Sequence, residues 1–142
     1  MTLTIPSTAA KVITVGAYDQ VYDTYADFSG RGYADSTRTI GVAAAGLTKP
    51  DLVAPGVNIQ APDVYGSFTP VTGTSFATPI VSGAAALLME WGIVRGNDPF
   101  LYGEKVKAYF RKGAGPLRGE TEYPNDRVGY GKLCVAESLL EN

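Results

Sequence analysis

The sequence contains no histidine and a single cysteine, Cys134, among its 142 residues. Without histidine, the chain cannot by itself form a Ser-His-Asp or Cys-His catalytic constellation, or a histidine-ligated zinc site. A single cysteine excludes an intrachain disulfide and a thiolate metal cluster, and Cys134 is more typical of a small buried residue than of a nucleophile. Any nucleophilic chemistry therefore needs a general base from another part of a longer protein or from another chain.

Basic charge is not in excess, and long apolar runs are absent. Twelve Lys and Arg side chains against fourteen Asp and Glu give a net charge of −2. This balance disfavours nucleic acid as a partner, because phosphate contacts need a surplus of cations. No uninterrupted apolar run reaches the ~18 residues that span a bilayer, so we expect no membrane partner. The composition, 45% hydrophobic and 18% charged, is that of one globular domain.

The hydrophobic pattern predicts a mixed α/β chain. Short strands are predicted at residues 11–17 and 51–54, with a hairpin formed by residues 57–60 and 67–71. Residues 18–47 are predicted to be loops with one short strand. Three helices are predicted: one apolar on all sides at 75–91, one capped by Asp98 and ending near Lys112 before Gly113, and a short one at 135–140. Four cations of the second helix are predicted to form a solvated face: Lys105, Lys107, Arg111 and Lys112.

Ser75 is the candidate nucleophile. It lies between Gly73 and the start of the apolar helix, where free N–H groups and the helix dipole would stabilise an oxyanion. Gly73 has no side chain and lets a substrate backbone approach closely. A Ser or Thr at a helix start is, however, usually only a cap. The residues alone therefore leave both a catalytic and a purely structural role for Ser75.

Four ordered segments resemble motifs of the subtilases, the subtilisin-like serine peptidases. They are a buried strand at residues 12–17, a Phe-Ser-x-x-Gly turn at 28–32, a Pro-Asp-x-x-Ala-Pro-Gly strand and turn at 50–56, and the nucleophile motif Gly-Thr-Ser-Phe-Ala-Thr-Pro at 73–79. Gly129-Tyr130-Gly131 is similar to the Gly-x-Gly that precedes the final helix of the family. Residues 89–92, 101–105 and 123–125 resemble, more narrowly, the germination-type subtilases of spore-forming anaerobes.

The resemblance implies the C-terminal part of a subtilisin-like α/β fold, with parallel strands and a buried central helix after the nucleophile. Ser75 carries over as the catalytic nucleophile and, through its own N–H, as one oxyanion donor. Thr74 carries over as a supporting residue, and Gly73 marks the approach of the substrate backbone. The catalytic Asp, the catalytic His and the oxyanion Asn of the family have no match. We therefore expect residues 1–142 to be the C-terminal half of a peptidase domain, inactive without the missing N-terminal half.

Two further functions are open at this point. A parent that kept the fold but lost the base would be a pseudoprotease, acting as a binding or regulatory module. A plain α/β structural domain is disfavoured, because packing alone does not require the ordered motifs.

The resemblance also carries expectations about partners and cofactors. It implies a polypeptide substrate for the parent, and the uncovered surface of a half-domain predicts self-association. We expect no metal or other cofactor in this chain, although subtilases often bind calcium and the parent could do so. The compartment stays open, and an extracellular or spore-associated parent is compatible with the resemblance.

Overall fold

A small sheet with parallel pairing lies at the centre of the fold. The computed structural model describes residues 2–33 and 48–140. Strand β1 (Val15–Asp19) runs parallel to β3 (Leu52–Pro55), and its end pairs antiparallel with β2 (Thr24–Tyr25). On the other edge of β3, Val53 donates to the Gly131 carbonyl at 3.0 Å and accepts from the Leu133 N–H at 2.8 Å. The parallel pair confirms the α/β class expected from the sequence.

The two parallel strands differ in how completely they are covered. Leu52, Val53 and Ala54 of β3 are fully buried, as expected for a strand with a neighbour on each edge. β1 begins at Val15 rather than at the predicted residue 11, where the side chain is exposed. On the edge of β1 that faces away from β3, β2 pairs only with Tyr18 and Asp19, and among the described residues no strand pairs with Val15 there. Residues 34–47 of the predicted loop stretch lie outside the described residues.

A separate hairpin connects the sheet to the first helix. Strands β4 (Ile59–Pro62) and β5 (Phe68–Val71) pair antiparallel, which confirms the hairpin predicted from the sequence. In the loop between them, Asp63 Oδ1 accepts the N–H groups of Tyr65 at 2.8 Å and Ser67 at 3.0 Å. These side-chain hydrogen bonds fix the reversal of the chain.

Helix α1 (Thr74–Met89) is buried along one face only, and it continues as a π-helical turn at Glu90–Val94. Its buried residues are Ala77, Val81, Ala84 and Leu88, whose three- and four-residue spacing forms a single stripe. This stripe packs on β1 and β3. The opposite face is exposed and small, and Leu87 there is 60% exposed. The apolar helix packs on the sheet as predicted, and its bare second face agrees with the expectation that a half-domain leaves surface uncovered. Small apolar residues alone did not reveal which face is covered.

By length and composition alone, Thr74–Val94 would be able to cross a membrane, although only 28% of its most apolar window is buried. The sequence argument considered uninterrupted apolar runs, and this segment is interrupted by small polar residues such as Ser82 and by Glu90. A core helix meets the same criterion. Because α1 already packs on the sheet along one side, we interpret its other side as a surface that packs against protein.

Helix α2 (Glu104–Lys112) begins later than predicted. The sequence placed its start at Asp98 and Pro99, but Gly103 adopts a φ of 59°, which interrupts a right-handed helix and suits glycine. The helix ends at Gly113, as predicted. Helix α3 (Val135–Leu140) lies where it was predicted and packs against α2. A Cβ added to Gly113 would lie 2.3 Å from the Ser138 backbone nitrogen, so glycine permits this close contact.

Asp51 is the centre of a buried ionic cluster that ties three parts of the fold together. Its carboxylate is fully buried, with Lys49 Nζ 2.8 Å from Oδ2 and Lys107 Nζ 2.9 Å from Oδ1. Arg111 also donates to Oδ1 through its guanidinium. The N–H of Thr14 donates to Oδ2 at 2.7 Å. We call Asp51, Lys49, Lys107 and Arg111 the Asp51 cluster; it joins the start of β3, the segment before β1, and α2.

The cluster shifts the titration of its members. Burial alone would raise the pKa of the Asp51 carboxyl, but hydrogen bonds from Lys49, the Thr14 N–H and Lys107 hold that pKa below its ordinary value. The pKa of Lys107 is lowered, chiefly by burial. The carboxylate of Asp51 acts in the opposite direction, and the charge of Lys49 lowers the pKa further.

The cluster also corrects the prediction of a solvated face on the second helix. Lys105 and Lys112 are exposed, but Lys107 is buried and Arg111 is largely buried. Their partner, Asp51, lies more than fifty residues away in the sequence. Composition and helical spacing therefore gave no sign of the pairing.

We predict that Asp51→Ala lowers the free energy of unfolding by about 3–5 kcal/mol, because it leaves largely buried cations unpaired. Glu90→Ala is the control, since it removes the exposed Glu90–Arg95 pair and should cost no more than about 1 kcal/mol. Urea denaturation of both variants measures the difference. The stabilisation by Asp51 should be complete above the pKa of the unfolded carboxyl and be lost as the pH falls through the lower folded pKa. Equal costs for the two variants would contradict the role of the cluster.

We also predict that the isolated chain self-associates through the open edge of β1 and the exposed face of α1. Burial of ~400 Å² of apolar surface would contribute roughly 10 kcal/mol of stabilisation, which the chain lacks while that surface is uncovered. Bare strand edges also pair with other chains. Light scattering over a dilution series measures the association. Leu87→Lys should weaken it, whereas Val64→Lys, at the 90% exposed tip of the hairpin, should not. A monodisperse 15.0 kDa monomer with a cooperative thermal transition would show that the described core is sufficient.

Candidate active site

Ser75 is positioned by a short hydrogen-bonded path from the parallel strands. The Gly56 N–H donates to the Tyr18 carbonyl at 3.1 Å, and the Gly73 N–H donates to the Gly56 carbonyl at 2.8 Å. A Cβ on Gly56 would lie 2.6 Å from the Ala17 Cβ, so only glycine allows this approach. The end of β1, the turn after β3 and the turn before α1 are thereby fixed to one another.

The backbone at Gly73 sets the direction in which α1 begins. Gly73 is the N-cap residue, with a φ of 152°, a conformation that side chains disfavour. The Gly73 carbonyl accepts from the N–H groups of Phe76 at 3.1 Å and Ala77 at 3.4 Å. No side chain caps the helix, so Thr74 and Ser75 are not the cap that their residue types allowed.

Ser75 lies in the first turn of α1 and is exposed. Within residues 2–33 and 48–140, neither its hydroxyl nor the N–H groups of Thr74 and Ser75 have a hydrogen-bond partner. These N–H groups are the free donors of a helix N-terminus, where the dipole favours negative charge. The Thr74 carbonyl accepts from the Thr78 hydroxyl at 3.0 Å, which steadies the turn. The arrangement can hold an oxyanion next to the Ser75 hydroxyl.

A cleft of about 500 Å³ opens beside Ser75. One wall comes from the start of α1, through Thr74, Ser75 and Thr78, and another from residues 12–15. The N-terminal segment, including Leu3 and Pro6, and the exposed Phe28 complete it. A smaller cavity of about 120 Å³ follows the open edge of β1 along the exposed face of α1. The cleft is large enough to receive an amino-acid side chain.

Among the residues that the structure describes, no side chain that lines the cleft is ionisable. The described part of the chain thus offers Ser75 no general base, in agreement with the absence of histidine from the full sequence. It also contains no group of three or more His, Cys, Asp or Glu side chains that could hold a metal ion. Two acids near β1 and β2 have protein partners: Asp23 pairs with Lys132 at 2.8 Å, and Asp19 accepts the Val21 N–H at 2.8 Å. The expectations about cofactors, including calcium in a longer parent, stay predictions.

Of the three residues singled out in the sequence, Thr74 and Ser75 line the cleft, and Gly73 caps the start of the same helix. Sequence reasoning missed Gly56, which anchors the turn, and the Asp51 cluster behind the cleft wall. The sequence contained one signal of a buried ion pair. Lys49 and Asp51, of opposite charge, flank Pro50 directly before an apolar strand.

Comparison with known families and structures gives one consistent result. A family model described as the Subtilase family matches residues 1–131. Serine protease AprX of Bacillus subtilis (strain 168) is 33% identical over 139 residues, which cover 84% of this chain and 28% of AprX.

Two solved protease structures are similar over almost the whole chain. The CspB protease of Clostridium perfringens is 46% identical, with a TM-score of 0.83, over 97% of this chain and 27% of that protein. The prenylagaramide maturation protease PagA is 32% identical, with a TM-score of 0.70, over 95% of this chain and 44% of that protein. The chain thus spans a quarter to less than half of the length of these relatives.

Proposed function

Since the chain belongs to the subtilase family, we propose that it is the nucleophile-bearing part of a serine endopeptidase, with Ser75 as the nucleophile. The observation that supports this most directly is the position of Ser75. Its hydroxyl stands at the mouth of a cleft, beside two unpartnered N–H groups of the first turn of α1. Because the chain spans only part of its relatives, the proposal concerns the longer protein that contains it.

The proposed reaction is acyl transfer to Ser75. A histidine from outside these residues takes the proton of the Ser75 hydroxyl, and the oxygen attacks the carbonyl carbon of a peptide bond. The carbonyl oxygen becomes an oxyanion that accepts a hydrogen bond from the Ser75 N–H. The histidine returns the proton to the leaving amine as the C–N bond breaks. Water then hydrolyses the acyl-enzyme and restores the Ser75 hydroxyl.

Two neighbours support this chemistry without taking part in bond changes. Gly73 presents bare backbone beside the reacting centre and admits the main chain of an extended polypeptide. Thr74 holds the first turn through its carbonyl, which accepts from Thr78 at 3.0 Å. The substrate class we propose for the parent is therefore a polypeptide, and the general base and second oxyanion donor come from the part of the domain that precedes these residues.

The competing function is that of a pseudoprotease. The cleft and the open edge of β1 would bind a polypeptide whether or not a base is present, and the described residues provide no base. The two functions differ in one measurable respect, which is turnover by the full-length protein. Ser75-dependent cleavage supports the peptidase, and binding without cleavage supports the regulatory module.

We predict that this chain alone does not hydrolyse peptides at a useful rate. Loss of triad members lowers the turnover of a serine peptidase by about 10⁶, and the sequence supplies no histidine. Incubation with casein and with a chromogenic peptide measures the activity, with Ser75→Ala as the matched control for contaminating proteases. Turnover that disappears in Ser75→Ala would show that the base is not required.

We predict that a fluorophosphonate probe labels Ser75 in the full-length parent much faster than in the isolated chain. The probe reacts with an activated hydroxyl, and activation depends on the base. Labelling is followed by mass spectrometry, with Ser82→Ala as the control for other hydroxyls on the exposed face of α1. Equal rates in the two forms would mean that the helix N-terminus alone activates Ser75. No labelling of the parent would favour the pseudoprotease.

A further inference from the structure

The Asp51 cluster carries more positive than negative charge. Three cationic side chains converge on one carboxylate, which leaves a surplus of two positive charges. Among the residues that the structure describes, none of these cations pairs with a second carboxylate. Backbone carbonyls take the remaining donors: Lys49 Nζ donates to Val12 at 2.7 Å, and Lys107 Nζ donates to Ala10 at 2.7 Å and Val12 at 3.0 Å. Carbonyl dipoles satisfy these hydrogen bonds but do not cancel the charge.

This surplus lies directly behind the wall of the cleft beside Ser75. Val12 and Thr14 line the cleft. The Val12 carbonyl accepts from both lysines, and the Thr14 N–H is 2.7 Å from Asp51 Oδ2. One residue thus separates the buried cations from the space that a ligand would enter. The N-terminus of α1 adds partial positive charge from a second side.

We propose that the Asp51 cluster makes the cleft beside Ser75 reject cationic side chains, so that its ligands are polypeptides with an uncharged residue at that position. The inference rests on the proposed function, because it assumes that the cleft receives a polypeptide. No described lining side chain is ionisable, so a bound Lys or Arg would find no carboxylate among these residues to offset the repulsion. The lining side chains Leu3, Pro6 and Phe28 offer apolar contact to the stem of an uncharged residue.

Exposed charges near the cleft do not reverse this balance. Lys11 and Arg31 adjoin lining residues in the sequence, as does Asp27, and all three are exposed. Solvent and salt screen exposed charges, whereas Lys49 and Lys107 are buried, and buried charges are screened much less. Loss of the Lys107 proton would still leave one positive charge in excess.

The test measures binding of matched peptides to the full-length protein in a Ser75→Ala background, where no peptide is consumed. The peptides are alanine-based hexapeptides made in pairs, one pair for each position. One member of a pair has norleucine at that position and the other has lysine, whose side chain has a similar aliphatic stem but carries a positive charge. We expect at least one position where lysine weakens binding about tenfold. Arg111→Gln should reduce this ratio about threefold to tenfold, because it removes one surplus charge. Asp51 keeps both lysine partners in that variant.

A second variant and a control separate charge from structure. Lys107→Met removes a different cation of the cluster and should reduce the same ratio. Arg95→Gln is the matched control, since Arg95 is exposed beyond the far end of α1, and it should leave the ratio unchanged. A purely structural role would weaken binding of both peptides without changing their ratio.

The outcomes distinguish this inference from the proposed function. Three results would overturn the inference. The lysine peptide could bind as well as the norleucine peptide at every position, both cluster variants could leave the ratio of the two affinities unchanged, or neither peptide could bind. Cleavage by the protein with Ser75 intact tests the peptidase separately. Discrimination in binding without any cleavage would leave the charge inference standing and remove the peptidase.

Discussion

The fold depends on one buried carboxylate. Asp51 stands at the start of β3 and holds Lys49, Lys107, Arg111 and the Thr14 N–H around it. Removing a carboxylate from water is costly, and cationic partners and hydrogen bonds to its oxygens offset that cost. Each contact therefore requires the others to be in place, and together they set the segment before β1 and helix α2 against β3. The register of the parallel pair, with Val15 opposite Leu52, begins next to this cluster.

The position of the nucleophile follows from the other end of the same strands. The path from Tyr18 through Gly56 to Gly73 carries the register of β1 and β3 to the first turn of α1. The residues that would do the chemistry thus rest on a rigid sheet rather than on a mobile loop, which is the arrangement that precise catalysis requires. The cluster holds the cleft wall at Val12 and Thr14, and the path sets the start of α1, which forms another wall.

The uncovered surfaces are also a consequence of this construction. β3 has a neighbour on each edge, but on the side of β1 away from β3 no described strand pairs with Val15. Next to that edge, α1 presents an exposed face of small residues. Both surfaces adjoin the cleft. These uncovered surfaces support the proposal that further structure continues the sheet beyond the open edge of β1. That structure would supply the catalytic base and a second oxyanion donor. Small residues on α1 would permit that neighbour to pack closely.

The sequence by itself determined the class of the fold, the hairpin, the position of α3 and the end of α2 at Gly113, because these depend on local patterns of apolar, glycine and turn residues. It also singled out Gly73, Thr74 and Ser75 as candidate site residues, since a glycine followed by hydroxyl residues at a helix start is a local feature, and their roles stay a prediction. It misplaced the start of α2, because the φ of Gly103 overrides the capping pattern at Asp98. Only the tertiary structure decided which face of α1 is covered, that Lys107 and Arg111 are internal, and that their charge lies behind the cleft. Those facts depend on contacts between residues far apart in the chain, and neither periodicity nor composition carries information about such pairs.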